Sequence, residues 1–165
     1  MSYTVSVPAT LANLGPGFDV LGMAVDVSNT FCFEARPAGI YEAEGQQVAP
    51  EDHLCFATAM AAQQRFGGDL AGLALRQREA IPRGRGMGSS ATARIAGLLA
   101  YCHFSGVYPS EHAAVSFVSE AEGHPDNAVA AMLGGLTIAG TGKAGLTIVR
   151  GCLPVGLRIA LCCPE

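Results

Sequence analysis

Apolar and polar residues alternate along the first 48 residues in the pattern of β-strands. Val5 and Val7 share one face of the first predicted strand. The elements predicted in this part are a strand over residues 3–8, an irregular Gly- and Pro-rich segment over 13–17, one or two strands over 18–36 with an interruption near Ser28-Asn29, and a short hairpin over 39–48.

Apolar residues recur every three or four positions further along the chain, which predicts amphipathic helices. Asp52 and Ser110 are typical helix caps, and Pro125 is favoured in a first helical turn. The first predicted helix runs from 52 to 66 and ends before Gly67-Gly68, with Leu54, Ala57 and Ala61 inward. The second follows the glycine-rich segment and ends at about His103, with an apolar stripe of Ile95, Leu98, Leu99 and Cys102. The third begins after Ser110, with Val115, Val118 and Ala121 inward, and a shorter fourth begins at 125. The predicted strands are 72–80, 136–139, 145–149 and 157–162.

Strands and helices follow one another without a regular β-α alternation, so the predicted fold class is α+β. The 165 residues suffice for one domain with a sizeable core. Half of them are hydrophobic, and the mean hydropathy of +0.32 suggests that some apolar surface is normally covered by another part.

The net charge of −4, without a basic run, disfavours nucleic-acid binding. No apolar run reaches the roughly 18 residues of a membrane helix, and the N-terminus lacks the pattern of a signal peptide, so a cytoplasmic protein is expected. The six cysteines show no Cys-x-x-Cys spacing and are interpreted as reduced, mostly buried thiols.

A glycine-rich loop before the second predicted helix is the strongest chemical signal. Gly84, Gly86 and Gly88 allow tight turns, and Ser89-Ser90 opens the helix. The free N–H groups and the helix dipole favour an anion there, and Arg83 and Arg85 would suit phosphate oxygens. A simple glycine-rich turn with a serine cap is an equally good interpretation of this loop alone. The loop lacks the Gly-Lys-Ser/Thr ending of a P-loop and the Rossmann glycine pattern.

Two further blocks change that balance. The first is VPATLANLGPGFDVLG over residues 7–22, and the second is EAEGHPDN over 120–127, which continues to Leu133-Gly134-Gly135-Leu136. With the glycine-rich loop between them, the blocks resemble the GHMP family of small-molecule kinases, and within it the homoserine kinases. The resemblance implies a fold like domain 2 of ribosomal protein S5, with helices on one side of a mixed sheet. It also implies that residues 1–165 are the N-terminal, ATP-binding domain, and that a C-terminal ferredoxin-like domain is missing.

The resemblance implies ATP-dependent phosphorylation of the L-homoserine hydroxyl to O-phospho-L-homoserine, in threonine biosynthesis, and a possible homodimer. It assigns Mg²⁺ to Ser90 and Glu122, with Glu122 preferred over Glu120, and catalytic roles to Glu122, Asp126 and Asn127. L-Homoserine would be bound by Asn13, Asp19 and Asn127. ATP phosphates would be held by Pro82, Arg83, Gly84, Arg85, Gly86, Met87, Gly88, Ser89, Ser90 and Ala91.

Several residues of these blocks also have a plainer interpretation, and Glu120 and Glu122, at the end of a helix, would ordinarily be solvated surface residues. Asp126 and Asn127 would cap a helix, Asn13 and Asp19 would form a turn, and His124 is more often structural than catalytic. The chain departs from the family pattern at Leu11, at Met87 and at His53, which stands near an expected adenine contact. The alternatives are another GHMP kinase or a nucleotide-binding fragment without catalysis.

Overall fold

A computed structural model describes residues 1–161. The strands are β1 (Ser2–Asn13), β2 (Gly17–Arg36), β3 (Tyr41–Ala43), β4 (Gln46–Gln47), β5 (Gly72–Arg78), β6 (Leu136–Gly142) and β7 (Gly145–Gly151). The helices are α1 (Leu54–Phe66), α2 (Ser89–Ser105), α3 (Glu111–Glu122) and α4 (Asp126–Leu133), and a short 3-10 turn (Pro50–Asp52) precedes α1.

The 20-residue strand β2 is the centre of the sheet. It pairs with β1 along one edge, and with β5 and β6 along the other. Apart from β1, the strand order is β4-β3-β5-β2-β6-β7. The β3–β5 pair is parallel and the other pairs are antiparallel, so the sheet is mixed as expected.

The helices cover one face of this sheet. Along β2, Phe31 and Phe33 are buried in the main core, whereas the alternate residues Cys32 and Glu34 are exposed on the opposite face. Helix residues such as Phe56, Leu98 and Tyr101 complete the core, and full burial of a large apolar side chain contributes about 1.5–3 kcal/mol. The predicted α+β class with helices on one side is confirmed.

The predicted interruption at Ser28-Asn29 is wrong, because β2 runs through it without a break. The polar Asn29 is buried in the middle of the strand and forms side-chain hydrogen bonds there. The irregular segment is also shorter than predicted. β1 continues to Asn13 and β2 begins at Gly17, so that a tight turn joins two long strands. Asn13 and Leu14 reach positive φ values of 69° and 38° to make this turn.

The predicted start and inward face of α1 also need correction. Asp52 lies in the 3-10 turn, and His53 is the N-cap residue. The buried residues of α1 are Cys55, Phe56, Thr58, Ala59 and Ala62, whereas Leu54 and Ala61 are exposed, because Phe56 points into the core and sets the inward face. The predicted end of this helix at Gly67 is confirmed.

The other helix ends follow the sequence signals closely. The Ser110 hydroxyl accepts a hydrogen bond from the Ala113 N–H at 3.2 Å, which confirms the predicted cap of α3. Val115 and Val118 are buried on that helix, but Ala121 is exposed near its end. Pro125 is the N-cap residue of α4, so the predicted start is correct to one position.

The predicted strand over 157–162 is absent from residues 157–161, and Cys162 lies outside the described residues. Residues 157–161 are exposed and have no strand partner among residues 1–161. Of the cysteines in the described part, Cys55 and Cys102 are buried as expected, whereas Cys32 and Cys152 are exposed. Within residues 1–161, no helix has both the length and the apolar character needed to cross a membrane.

Candidate functional site

A cavity of about 560 Å³ opens over the start of α2. Its wall includes eight of the ten residues that were predicted to hold phosphates: Pro82, Arg83, Gly84, Gly86, Met87, Gly88, Ser89 and Ser90. The other two do not line it, since Arg85 is exposed elsewhere and Ala91 is buried in the helix. The predicted loop therefore forms a large part of the wall of this cavity.

The loop reaches the start of α2 through three glycines in the left-handed region. Gly84, Gly86 and Gly88 have φ values of 69°, 70° and 68°. Gly88 is the N-cap residue of α2, so the unpaired N–H groups of the first helical turn lie at the cavity. This arrangement favours an anion next to the loop, because the N–H groups and the helix dipole both carry partial positive charge there.

Thr10 connects the loop to the start of α4. Its backbone N–H donates to the Met87 carbonyl at 3.1 Å, and its hydroxyl donates to Asn127 Oδ1 at 2.6 Å. A Cβ atom at Gly88 would overlap the Thr10 hydroxyl and would lie 2.9 Å from Asn127 Oδ1. The block over residues 7–22, the glycine-rich loop and the block over 120–127 therefore meet at one point, and Gly88 is the residue that allows this close approach.

Asn29 holds the two ends of the loop and was missed by the sequence analysis. Its Oδ1 accepts hydrogen bonds from the N–H groups of Ala80 and Ile81, at 2.8 and 3.0 Å. Its Nδ2 donates to the Thr92 hydroxyl at 3.3 Å, and that hydroxyl donates to the Ser89 carbonyl at 2.8 Å. A single buried amide thus fixes both the entry to the loop and the first turn of α2.

Ser90 and Glu122, the predicted metal pair, are adjacent. The Ser90 hydroxyl donates to Glu122 Oε2 at 2.8 Å, and the Glu122 side chain is only 4% exposed. Glu120, the alternative, is exposed and borders a shallow groove with Arg65 and Phe117. The geometry favours Glu122. The sequence analysis missed Arg94, whose Nε donates to the other carboxylate oxygen, Oε1, at 2.6 Å.

The donor set at this position fits Mg²⁺. A carboxylate and a hydroxyl are hard oxygen ligands, and Mg²⁺ needs few protein ligands when phosphates and water complete its coordination. The hydroxyl belongs to the first turn of α2, where a phosphate would be favoured, and the carboxylate reaches it from the end of α3. Ser90 and Glu122 are therefore the residues that could hold the ion.

Asp126 is buried and forms hydrogen bonds with both of its polar neighbours. Only 1% of the residue is exposed, and its Oδ1 accepts from the Asn127 backbone N–H at 2.7 Å and from Asn127 Nδ2 at 3.2 Å. The same oxygen lies 2.7 Å from His124 Nδ1. Asn127 and His124 line the cavity, whereas Asp126 does not. Asp126 is thus placed to orient these two side chains.

The two arginines of the loop differ. Arg83 lines the cavity but forms an ion pair with Glu79, and this pair lowers the pKa of the Glu79 carboxyl. Arg85 is exposed. For the expected phosphate contact, Arg83 must therefore leave Glu79, or bind Glu79 and the phosphate at the same time.

Asn13, the last residue of β1, and Asp19, the third residue of β2, lie on either side of the β1–β2 turn. Asn13 Oδ1 accepts from the Asp19 N–H at 2.9 Å, and Asp19 has a positive φ of 54°. Neither residue lines the cavity. The structure therefore pairs the two predicted substrate residues with one another beside the turn, and does not join them to the glycine-rich loop.

His53 also lines the cavity. Its Nδ1 is buried and has no hydrogen-bond partner among the described residues. Burial, assisted by the positive charge of Arg83, lowers the pKa of this imidazole. The side chain is thus mainly neutral at pH 7, and in this form it could contact an uncharged group of a ligand.

The family model of the GHMP kinases N terminal domain matches residues 53–135. Homoserine kinase from Corynebacterium kroppenstedtii is 39% identical over 145 residues, which are 85% of this chain and 47% of the relative. The Mycobacterium tuberculosis homoserine kinase is 40% identical over 148 residues, or 84% of this chain and 47% of that protein. The chain thus spans about half the length of the curated relatives it matches.

Solved structures give the same fold. The crystal structure of homoserine kinase from Cytophaga hutchinsonii has a TM-score of 0.78 and 25% identity, and covers 93% of this chain and 52% of that one. Mevalonate kinase from Methanococcus jannaschii, with a TM-score of 0.68 and 14% identity over 92% of this chain and 56% of that one, shares the fold alone. The matched model spans residues 53–135 and includes the loop, Ser90, Glu122 and Asn127. The chain therefore belongs to the GHMP kinases, through their N-terminal domain family.

Proposed function

We propose that this chain is the nucleotide-binding part of a homoserine kinase, which transfers the γ-phosphoryl group of ATP to the hydroxyl of L-homoserine. The observation that carries the proposal is the meeting of the glycine-rich loop, Ser90 and Asn127 around one cavity, with the Glu122 carboxylate hydrogen-bonded to Ser90. The 36–40% identity to proteins named homoserine kinase supports the choice of substrate.

Phosphoryl transfer depends mainly on positioning and on charge stabilisation. The N–H groups at the start of α2 would bind the ATP phosphates, and Arg83 would add positive charge after release from Glu79. Ser90 and Glu122 would hold Mg²⁺, which when bound neutralises phosphate charge.

Asn127 would bind the substrate and the phosphate side of the site through its Nδ2 group. Thr10 and Asp126 already fix this amide, because one donates to its oxygen and the other accepts from its nitrogen. Asp126 is buried, so its proposed contribution is to orient Asn127 and His124. Direct proton transfer from the substrate hydroxyl to Asp126 would first require this carboxylate to become accessible.

Asp19 would bind the ammonium group of L-homoserine, and Asn13 its other polar groups. The exposed β1–β2 turn supports this role only if it closes over the cavity when substrate binds, since neither residue lines the cavity. The positive φ values of Asn13 and Asp19 show that the turn is held in an uncommon backbone conformation. Such conformations are frequent at binding sites.

We also propose that residues 1–165 are one domain of a longer, two-domain protein. Ile138 and Val149 are direct partners on β6 and β7, point away from the helices, and are 41% and 54% exposed. Thr137 and Ala139, the residues on either side of Ile138, are fully buried on the helix side. Further apolar side chains are exposed at Leu153, Val155, Leu157, Ile159 and Leu161. A C-terminal domain packed here would cover this surface. A homodimer and a cytoplasmic location stay predictions.

A chimera tests the substrate assignment. Residues 1–151 would replace the matching N-terminal part of the C. kroppenstedtii homoserine kinase, and products from L-homoserine, mevalonate and galactose would be measured by phosphorus NMR. We expect O-phospho-L-homoserine alone, and its loss in the Ser90→Ala chimera. A folded, ATP-binding chimera that phosphorylates mevalonate, or none of the three, would contradict the proposal. The half-length match gives a second candidate, a nucleotide-binding fragment without catalysis, which the last outcome would favour.

A further inference from the structure

Arg94 forms the most buried ion pair of the described residues. Its Nε lies 2.6 Å from Glu122 Oε1, and the side chains are 24% and 4% exposed. The other oxygen, Oε2, accepts from the Ser90 hydroxyl. Both oxygens of the carboxylate proposed to bind the metal are therefore occupied by groups of the protein.

The positions of these residues explain how the contacts arise. Ser90 and Arg94 are four residues apart on α2, so they lie on the same side of the helix. Glu122 is the last residue of α3 and reaches both of them. Neither the glycine-rich loop nor a metal site formed by Ser90 and Glu122 requires an arginine beside Glu122. The Arg94 guanidinium therefore has a role other than binding the metal.

A permanent positive charge beside a metal ligand has two opposite effects. It stabilises the carboxylate, since a buried charge without a partner is costly. It also opposes a divalent cation, because the pair of Arg94 and Glu122 carries no net charge. An ion that arrives with a nucleotide brings the negative charge of the phosphates, which the guanidinium and the start of α2 attract.

We propose that Arg94 is a resident cation, which holds Glu122 towards Ser90 and prevents a divalent metal ion from binding until it arrives with nucleotide. The proposal rests on the proposed function, in which Ser90 and Glu122 are metal ligands. Arg94 is then a positioning residue, and it makes the binding of metal and nucleotide interdependent. Because Arg94 keeps Oε1, the ion would replace only the Ser90 proton at Oε2, and a contact to one carboxylate oxygen suits Mg²⁺.

The test uses Mn²⁺ alone as a probe for the 165-residue chain, with bound ion measured by electron paramagnetic resonance and by the rise in Tm that a ligand of the folded state causes. Without nucleotide, Arg94→Gln should bind Mn²⁺ on the order of tenfold more tightly than the wild type, because the opposing charge is gone. Arg94→Lys, which keeps the charge, should resemble the wild type. Arg76→Gln removes an exposed arginine of β5 and is the control for net charge.

Unchanged Mn²⁺ binding in Arg94→Gln would overturn the proposal, and so would an equal gain in Arg76→Gln or a gain that persists after Glu122→Gln. If Arg94→Gln does not fold, the wild type still decides: saturable Mn²⁺ binding that depends on Glu122 and needs no nucleotide would overturn the proposal. If the wild-type chain binds Mg·ATP but the Arg94 variants bind Mn²⁺ as the wild type does, only the role of Arg94 would be contradicted. A folded chain without Mg·ATP binding would contradict the proposed function itself.

Discussion

Replacing Asn29 by alanine should destabilise the chain more than any exposed substitution near the loop. The change removes the acceptor of two backbone N–H groups, those of Ala80 and Ile81, and a donor to the Thr92 hydroxyl. Ile81 is buried, so its N–H would lose its partner away from water, at a cost of about 1–3 kcal/mol. The Ala80 N–H is partly exposed and adds less. We therefore expect a loss of about 2–4 kcal/mol in the free energy of unfolding.

Urea unfolding, followed by circular dichroism, measures this loss. For a chain of this size a loss of about 3 kcal/mol should also lower Tm by roughly 6–12 °C. Ser28→Ala, at the preceding position of the same strand, is the control and should change stability by less than about 0.5 kcal/mol. A loss below about 1 kcal/mol in Asn29→Ala, with an unchanged dependence on urea, would refute the view that this amide fixes the ends of the loop.

Gly88→Ala should abolish nucleotide binding, since the added Cβ would overlap the Thr10 hydroxyl. Gly84 has a similar positive φ but open space around it, so Gly84→Ala should cost only about 1 kcal/mol of stability. Similar nucleotide affinities of the two variants would contradict this prediction. Glu122→Gln should reduce metal-dependent turnover of the complete enzyme by about 2–4 kcal/mol of transition-state stabilisation, and an unchanged kcat/KM would remove Glu122 from the metal site. Asp19→Asn should abolish the use of L-homoserine but keep ATP binding, and calorimetry that shows lost ATP binding instead would mean that Asp19 has another role. The pKa of His53 is lowered on folding, so the unfolded chain binds more protons than the folded chain just below about pH 6.5, and stability should fall as the pH drops through that range. This part of the pH dependence of urea unfolding should vanish in His53→Gln, and identical pH profiles of the two proteins would exclude it.

The sequence predicted the end of α1 and the start of α3 well, because each depends on a few neighbouring residues. Gly67 and Ser110 act locally, through a positive φ and a short side-chain hydrogen bond. The Ser28-Asn29 pair predicts an interruption because asparagine is uncommon in strands. The partners of Asn29 are 51 to 63 residues away, so no local pattern could show that it is buried and bonded.

The same reason explains which parts of the site were missed. The loop and the Ser90–Glu122 pair could be expected from the three sequence blocks and the family resemblance. Thr10 lies inside the first block, but its hydroxyl meets Asn127 because α4 packs against β1, 117 residues further along the chain. Arg94 gave no signal, since an arginine on a helix four residues after a serine is ordinarily a solvated side chain.

The inward face of α1 and the region after β7 show the limits of apolar patterns. Along α1 small apolar residues occur on several sides, and the position of Phe56 in the core decides which of them are buried. Residues 157–161 have a strand-like composition but no strand partner within residues 1–161. A pattern can show that a segment could form a strand, but a neighbouring strand is needed to form the hydrogen bonds.

The central claim is that the glycine-rich loop before α2 forms a site for a metal-bound nucleoside triphosphate. Calorimetric titration of the 165-residue chain with ATP and Mg²⁺ tests it most directly, with circular dichroism to show that each protein is folded. The account predicts saturable binding of one ATP per chain, which Gly88→Val abolishes and Gly84→Ala preserves. A folded chain that does not bind ATP, or a folded Gly88→Val chain that binds it as well as the wild type, would contradict the claim.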